Sequence, residues 1–454
     1  VSATPSPVEP GAEAGVEGGL QVGLWMLAWP SILANLSGSI AGVVDLKIVG
    51  LLGPSAVAAT GAGMRIYFAS QAAMIAITAG TTALVARAIG ARNPAEAERV
   101  TRASLAIALA FSLVLTMLCV ALAGPLARSF DLDPDTVQQA ERFIRVLSLF
   151  NAGFAAFGVL GASLRAAGDA RTPLWVGVGA NVVNAVLDYA LVLGHLGAPA
   201  LGVVGAAYAT GTAFALSGIA LVVLWRRSAR RLRPDPERAL TRSRVAELLR
   251  IGFPAALEQM LWQGGLLAFA YVMIAYGSNA YAAYNIGAQI LSFSFLVGFG
   301  FSVAASTLVG QHLGARDPAG ARAAGWRAMR WSISAMVLLG ALILATGDLL
   351  ARAMIDDAEV VHLTRVFLFM LGVAQPLMAI EYSLSGALRG AGDTRFPLLT
   401  TLVGLVCVRL GLACLGAWLG LDIAWIYSAL ILDYAAKALL LTLRFRGEAW
   451  LRAI

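Results

Sequence analysis

The sequence predicts an all-α polytopic membrane protein of twelve transmembrane helices, built as two six-helix lobes that repeat in parallel. Three observations carry this prediction. The apolar residues arrive in long uncharged runs, the arginines fall in alternate loops, and one phrase recurs at a fixed offset.

The runs come first. Of 454 residues, 59% are hydrophobic and 13% charged. A soluble domain carries about 25% charged residues, so too few polar groups are present to cover soluble surfaces. "SLAIALAFSLVLTMLCVALAG" runs from Ser104 to Gly124 and "WSISAMVLLGALILATG" from Trp331 to Gly347 without a charge. Spanning hydrocarbon takes about 20 such residues, and a helix pairs every backbone group within its own segment. Twelve segments follow, at 22–46, 54–84, 103–127, 137–164, 173–195, 200–225, 248–275, 279–308, 328–350, 360–388, 397–419 and 422–445.

The loops come second. Those at 85–102, 165–172, 226–250, 309–330 and 389–396, with the C-terminal end from Arg444 on, hold 4, 2, 9, 4, 2 and 3 of the Lys and Arg residues. The opposite loops hold only Lys47, Arg128 and Arg352. The positive-inside rule then places both termini in the cytoplasm. The net charge of +7 faces anionic lipid rather than nucleic acid. The opening "VSATPSPVEPGAEAGVEGG" lacks the basic cluster and apolar core of a signal peptide and reads as a disordered tail.

The repeat comes third. "LRAAGDARTPL" begins at Leu164 and "LRGAGDTRFPL" at Leu388, 224 residues later. The same offset sets Trp29-Pro30 on Phe253-Pro254, and "GARNPA" at Gly90 on "GARDPA" at Gly314. Both copies of each basic loop face one side, so each half holds an even number of spans. Six spans share the offset at roughly 37 residues apiece, a helix plus a loop. The expected organisation is a tail at 1–20, a first lobe at 21–227, a linker at 228–247 and a second lobe at 248–454. Parallel repeats of this kind recur in secondary transporters, with substrate handled between the halves. The repeated phrase itself reads as a turn: Gly and Asp make it, Pro opens the next helix, and Arg holds it inside.

Ionisable residues inside spans are costly and mark candidate sites. Asp45 lies 15 residues after Pro30, and Asp188 lies 15 after Pro173, so the two match in depth toward the outer half. Asn184 shares a helix face with Asp188. Low dielectric favours the neutral carboxyl form, which suits a proton carrier; the alternative is that Asp45 merely ends its helix. Glu258 and Glu381 match in depth in the second lobe, as a second cation or substrate site or as a structural bridge to Arg389. Asp433 and Lys437 have intrahelical i, i+4 spacing. Arg65 and Arg409 are lone cations expected to snorkel or to pair, and Lys47 is a candidate extracellular anchor. Pro30 and Pro254 each remove a backbone donor and favour a kink. His195, His312 and His362 are too scattered for a metal site, and Cys119, Cys407 and Cys414 read as small core residues.

"GVVDLKIVGLLGPSAVAATG", "LVARAIGARNPAEAERV", "GASLRAAGDARTPL" and "NVVNAVLDYALVLG" followed by "GVVGAAYATG" resemble the multidrug and toxic compound extrusion (MATE) family, the last phrases most like its DinF-type branch. The resemblance implies a V-shaped monomer that exports organic cationic or amphipathic molecules by alternating access. Inward H⁺ or Na⁺ would drive it, with no other cofactor. It assigns the cation site to Asp45, Asn184 and Asp188, adds Thr210 from "AAYATG", and gives helix bending to Pro30. "DLK" departs from the small or apolar residues that usually follow that Asp. A lipid-linked oligosaccharide flippase is a second reading, disfavoured by twelve spans and buried carboxylates. A membrane enzyme or channel is a third.

Overall fold

The structure, a computed structural model, describes residues 23–229 and 239–452; the expected 1–20 tail lies outside them. The order is α1 (Leu24–Gly50), α2 (Pro54–Gly90), α3 (Pro94–Arg128), α4 (Pro134–Ser148), α5 (Asn151–Ala166), α6 (Arg171–Leu193) and α7 (Val203–Ala229). There follow α8 (Arg242–Ala275), α9 (Ser278–Gly314), α10 (Pro318–Met354), α11 (Ala358–Gly390), α12 (Arg395–Thr401), a π-helical stretch Leu402–Leu410, α13 (Gly411–Trp418) and α14 (Ile423–Arg446).

Nine helical spans among the described residues are long and apolar enough to cross a membrane, and two bent ones, α2 and the α4–α5 pair, bring the number to eleven. The twelfth expected span corresponds to α8. Its 34 residues suffice in length, but it carries arginines, Glu247, Glu258 and two glutamines, which lower its hydropathy. The expected fourth span breaks at Leu149-Phe150 into α4 and α5, bent by 51°. Pro30 and Pro254 lie inside helices that stay continuous.

The repeat extends to backbone geometry. Gly168 and its counterpart Gly392 take φ of 99° and 81° in the duplicated Gly-Asp turn. Arg92 and Arg316, 224 apart, both take the left-handed region at 53° and 58°. Asn93 accepts from the Glu96 amide and Asp317 from the Gly320 amide, capping α3 and α10 alike. Each cap satisfies an orphan donor at a helix start. The turn reading of the Leu-Arg phrase holds: the Asp169 carboxylate accepts from the amides of Arg171 and Thr172, and Pro173 sits in the first turn of α6.

The lobes join at the end that carries these basic loops. Gly90 of α2 lies against the Gln311 carbonyl of α9, and Gly314 of α9 lies against the Arg87 carbonyl of α2. These contacts are mirror images, since Arg87 and Gln311 are themselves 224 apart. Any Cβ there would collide with backbone, so small residues let the helices approach, as they do between helices in lipid. Arg87 Nη2 donates to Ala391 O at 3.0 Å, and Gln311 Nε2 donates to Ala166 O at 2.9 Å. Arg244 of α8 grips Glu96 of α3 through two nitrogens at 2.6 and 2.8 Å. Leu27 and Ala28 of α1 pack with Phe301, Ala304 and Ala305 of α9 in one core cluster. Among the described residues, the lobe-to-lobe hydrogen bonds lie at this end. The other end splays, giving a V.

The cysteines are free, but only Cys119 is buried; Cys407 and Cys414 are exposed, correcting their placement in the core. In an apolar run of a membrane protein, lipid accepts such side chains as readily as the core does. Arg65 and Lys47 are exposed.

Candidate ion and substrate site

α1 and α6 pack together and carry the first-lobe carboxylates. Asp188 is fully buried and Asp45 half-buried, and the two side chains lie within hydrogen-bonding reach of each other. Asn184 Nδ2 donates to Asp188 Oδ2 at 2.7 Å, one turn away as the spacing predicts. Oδ1 of each aspartate is buried without a donor. A buried acceptor left unmet costs about 1–3 kcal/mol, a cost that a proton or cation shared by the two oxygens would relieve. Thr210 lies half-buried on α7, with no hydrogen bond to the pair.

Below the pair, toward the basic end, lies a cavity of about 230 Å³. Pro30, Ala34, Asn35 and Gly38 of α1, and Gly177 and Asn181 of α6, form two of its walls. Phe157, Phe214 and Phe299 supply aromatic surface, and Arg165 supplies a cation. Asn181, Asn184 and Asp188 stand at i, i+3 and i+7, so cavity and carboxylates share one face of α6, about 10 Å apart along its axis. Asn181 Nδ2 donates to Ser37 Oγ at 2.8 Å, tying α6 to α1 between them. Pro30 lines this cavity.

The second lobe is arranged differently. Glu258 does not join Glu381 in an open site. Its Oε1 accepts from Arg389 Nη2 at 2.6 Å and from Thr401 Oγ1 at 3.2 Å, which is the structural bridge named as the alternative. A buried carboxylate takes the nearest guanidinium because leaving either charge alone is costly. Glu381 is half-buried on α11 with no ion pair among the described residues. Asp433 pairs with Lys437 at 3.1 Å, as its spacing predicts, and with Arg409 at 2.6 Å, the partner expected for that lone cation. The Tyr434 ring packs under both cations at 5.2 and 5.0 Å.

Sequence reasoning missed Arg165, having read it as a topology signal in a turn. The signal that would have found it is the comparison of the halves: Arg389 has Glu258 opposite it, and the matching position for Arg165 is Ala34.

A family model, MatE, matches residues 30–190 and 254–415, one match in each lobe. The probable multidrug resistance protein NorM of Thermotoga maritima is 32% identical over 410 residues, covering 87% of each chain. The multidrug resistance protein NorM of Burkholderia vietnamiensis is 31% identical over 412 residues, covering 87% of this chain and 88% of its own. A solved structure of MATE in complex with MaL6 superposes with a TM-score of 0.87 at 22% identity, covering 94% of this chain and 98% of the other. Two matched lobes, a shared V-shaped all-helical fold and full-length relatives lead to one conclusion: the chain belongs to the MATE family of multi-pass membrane transporters.

Proposed function

We propose that this transporter exports organic amphipathic small molecules in exchange for inward H⁺ or Na⁺. The observation that carries the reading is the shared α1–α6 wall. The Asp45–Asp188 pair and the cavity lie on the same two helices. A cation taken by the facing carboxyl oxygens removes their repulsion and draws α1 against α6. That movement narrows the cavity and favours release of its occupant. Pro30 removes one backbone bond of α1 at the cavity floor, where such a movement costs least. The relatives' names as multidrug resistance proteins support the substrate class.

The arginine-rich end is the cytoplasmic one on this reading, with both termini there. The V then opens outward, and the α2–α9 crossing is the closed inner gate. The protein works as a monomer, since each chain carries both lobes and a cavity of its own. The cytoplasmic membrane of a bacterium or archaeon is its location.

The test is efflux from proteoliposomes under an imposed pH gradient. Asp45→Asn and Asp188→Asn each reduce efflux to the protein-free level, while both variants remain folded at the assay temperature. Wild-type transport in both variants removes the pair from the mechanism. Repeating the assay with a Na⁺ gradient alone assigns the ion.

A further inference from the structure

The cavity differs from its counterpart in the second lobe in a way that specifies a ligand chemistry. The polar groups that meet there are Arg389, Glu258 and Thr401: the guanidinium holds the carboxylate, and the hydroxyl donates to the same oxygen. Subtracting 224 gives Arg165, Ala34 and Gly177 in the first lobe. All three line the cavity. The arginine is kept; the carboxylate is replaced by a methyl group and the threonine side chain by hydrogen.

Arg165 consequently has no carboxylate within ion-pair distance, and its guanidinium makes no hydrogen bond among the described residues. Its backbone carbonyl accepts from the Gly168 amide at 3.0 Å and from the Thr307 hydroxyl at 3.5 Å. The Ser31 hydroxyl is spent on Leu27 O and the Asn181 amide on Ser37. The Arg165 and Asn35 side chains make no hydrogen bond among the described residues. An unpaired guanidinium in a low-dielectric cleft is held only at a cost of several kcal/mol unless an anion or water compensates it, and its planar fork matches a carboxylate.

We propose that this cavity is an anion subsite: Arg165, helped by Asn35, binds a carboxylate on the transported molecule, whose aromatic or aliphatic body lies against Phe157, Phe214 and Phe299. The substrate supplies in the first lobe the carboxylate that Glu258 supplies in the second. Cargo carrying a carboxylate, including zwitterions, is thereby preferred over purely cationic cargo. This rests on the cavity being the transported solute's site, as proposed above.

Equilibrium binding to the purified full chain in neutral detergent, with no ion gradient, tests it. The probes are 2-naphthoate, its methyl ester and 2-naphthyltrimethylammonium, read by their fluorescence. The carboxylate binds at least about tenfold tighter than the ester, as one charge-assisted bidentate contact provides. Arg165→Gln removes that preference and Arg165→Lys retains part of it. Ala34→Glu rebuilds the second-lobe pair in place, excludes naphthoate and admits the trimethylammonium probe, while folding as that pair shows it can. Equal affinity for acid and ester, or naphthoate binding unchanged by Ala34→Glu, overturns the proposal. Arg165-dependent retention of phosphatidylglycerol through purification, with no naphthoate binding, moves the anion to a lipid phosphate and also overturns it. Failure of ion coupling is separate: Asp188→Asn then transports normally, yet naphthoate still binds through Arg165.

Discussion

The two lobes share their turns, caps and glycine contacts, yet hold their buried charges in opposite ways. In the second lobe three cations packed inside the helix bundle have each found a carboxylate of the chain itself: Arg389 with Glu258, Arg409 and Lys437 with Asp433. In the first lobe Glu98 pairs with Arg102, but the charges along the cavity wall lack such partners among the described residues. Asp45 and Asp188 face each other with a free oxygen apiece, and Arg165 faces a cavity. The positions that match the two aspartates are Phe269 and Leu412, which carry no charge. A duplicated scaffold thus holds its charges differently: the second lobe pairs Arg389, Arg409 and Lys437 within the chain, while the first leaves Asp45, Asp188 and Arg165 with unmet polar atoms among the described residues.

That contrast can be broken most sharply at the carboxylates. Asp433→Ala strands Arg409 and Lys437 in a dry core, where breaking a buried pair costs about 3–5 kcal/mol; the lobe unfolds at much lower temperature. Asp188→Asn removes a charge that had no full set of partners and costs less than about 1 kcal/mol. Thermal unfolding of both variants in one detergent compares them, and equal losses would erase the distinction. A middling effect comes where the lobes are alike. Gly90→Val and Gly314→Val each force backbone apart at the α2–α9 crossing, at roughly 1–3 kcal/mol. The two losses match within about 0.5 kcal/mol if the crossing is symmetric, and a clear inequality shows that one lobe yields first. The smallest effect is one-sided. Glu96 has Gly320 as its counterpart, so the Arg244 grip exists once. Glu96→Gln lowers stability by about 0.2–1 kcal/mol, because the pair is partly exposed, and high salt abolishes the difference.

The scaffold was legible because lipid enforces it. Apolar length, arginine asymmetry and the 224 offset need no side-chain detail, and Asp45, Asn184 and Asp188 stood out as polar groups in apolar runs. The break at Leu149-Phe150 and the π-helical stretch at Leu402–Leu410 were not legible, since neither contains a proline to announce it. Glu258 was seen, but its partner was decided by rotamer and depth, which spacing gives only to within a turn. Arg165 escaped for another reason. A charge is informative in a sequence, whereas the missing charge opposite it, an alanine among many alanines, is silent.

The methyl group of Ala34 also has a genetic meaning. Two of the four alanine codons, GCA and GCG, become glutamate codons by one change at the second base, so where either encodes residue 34 one nucleotide change would restore in the first lobe the pair that the second lobe holds. With such a codon the cavity is a single mutational step from being plugged by its own chain. A laboratory population grown with a toxic carboxylate would be expected to keep that codon open. One relieved of the need for export is free to lose it, and sequencing residue 34 after passage would read the pressure directly.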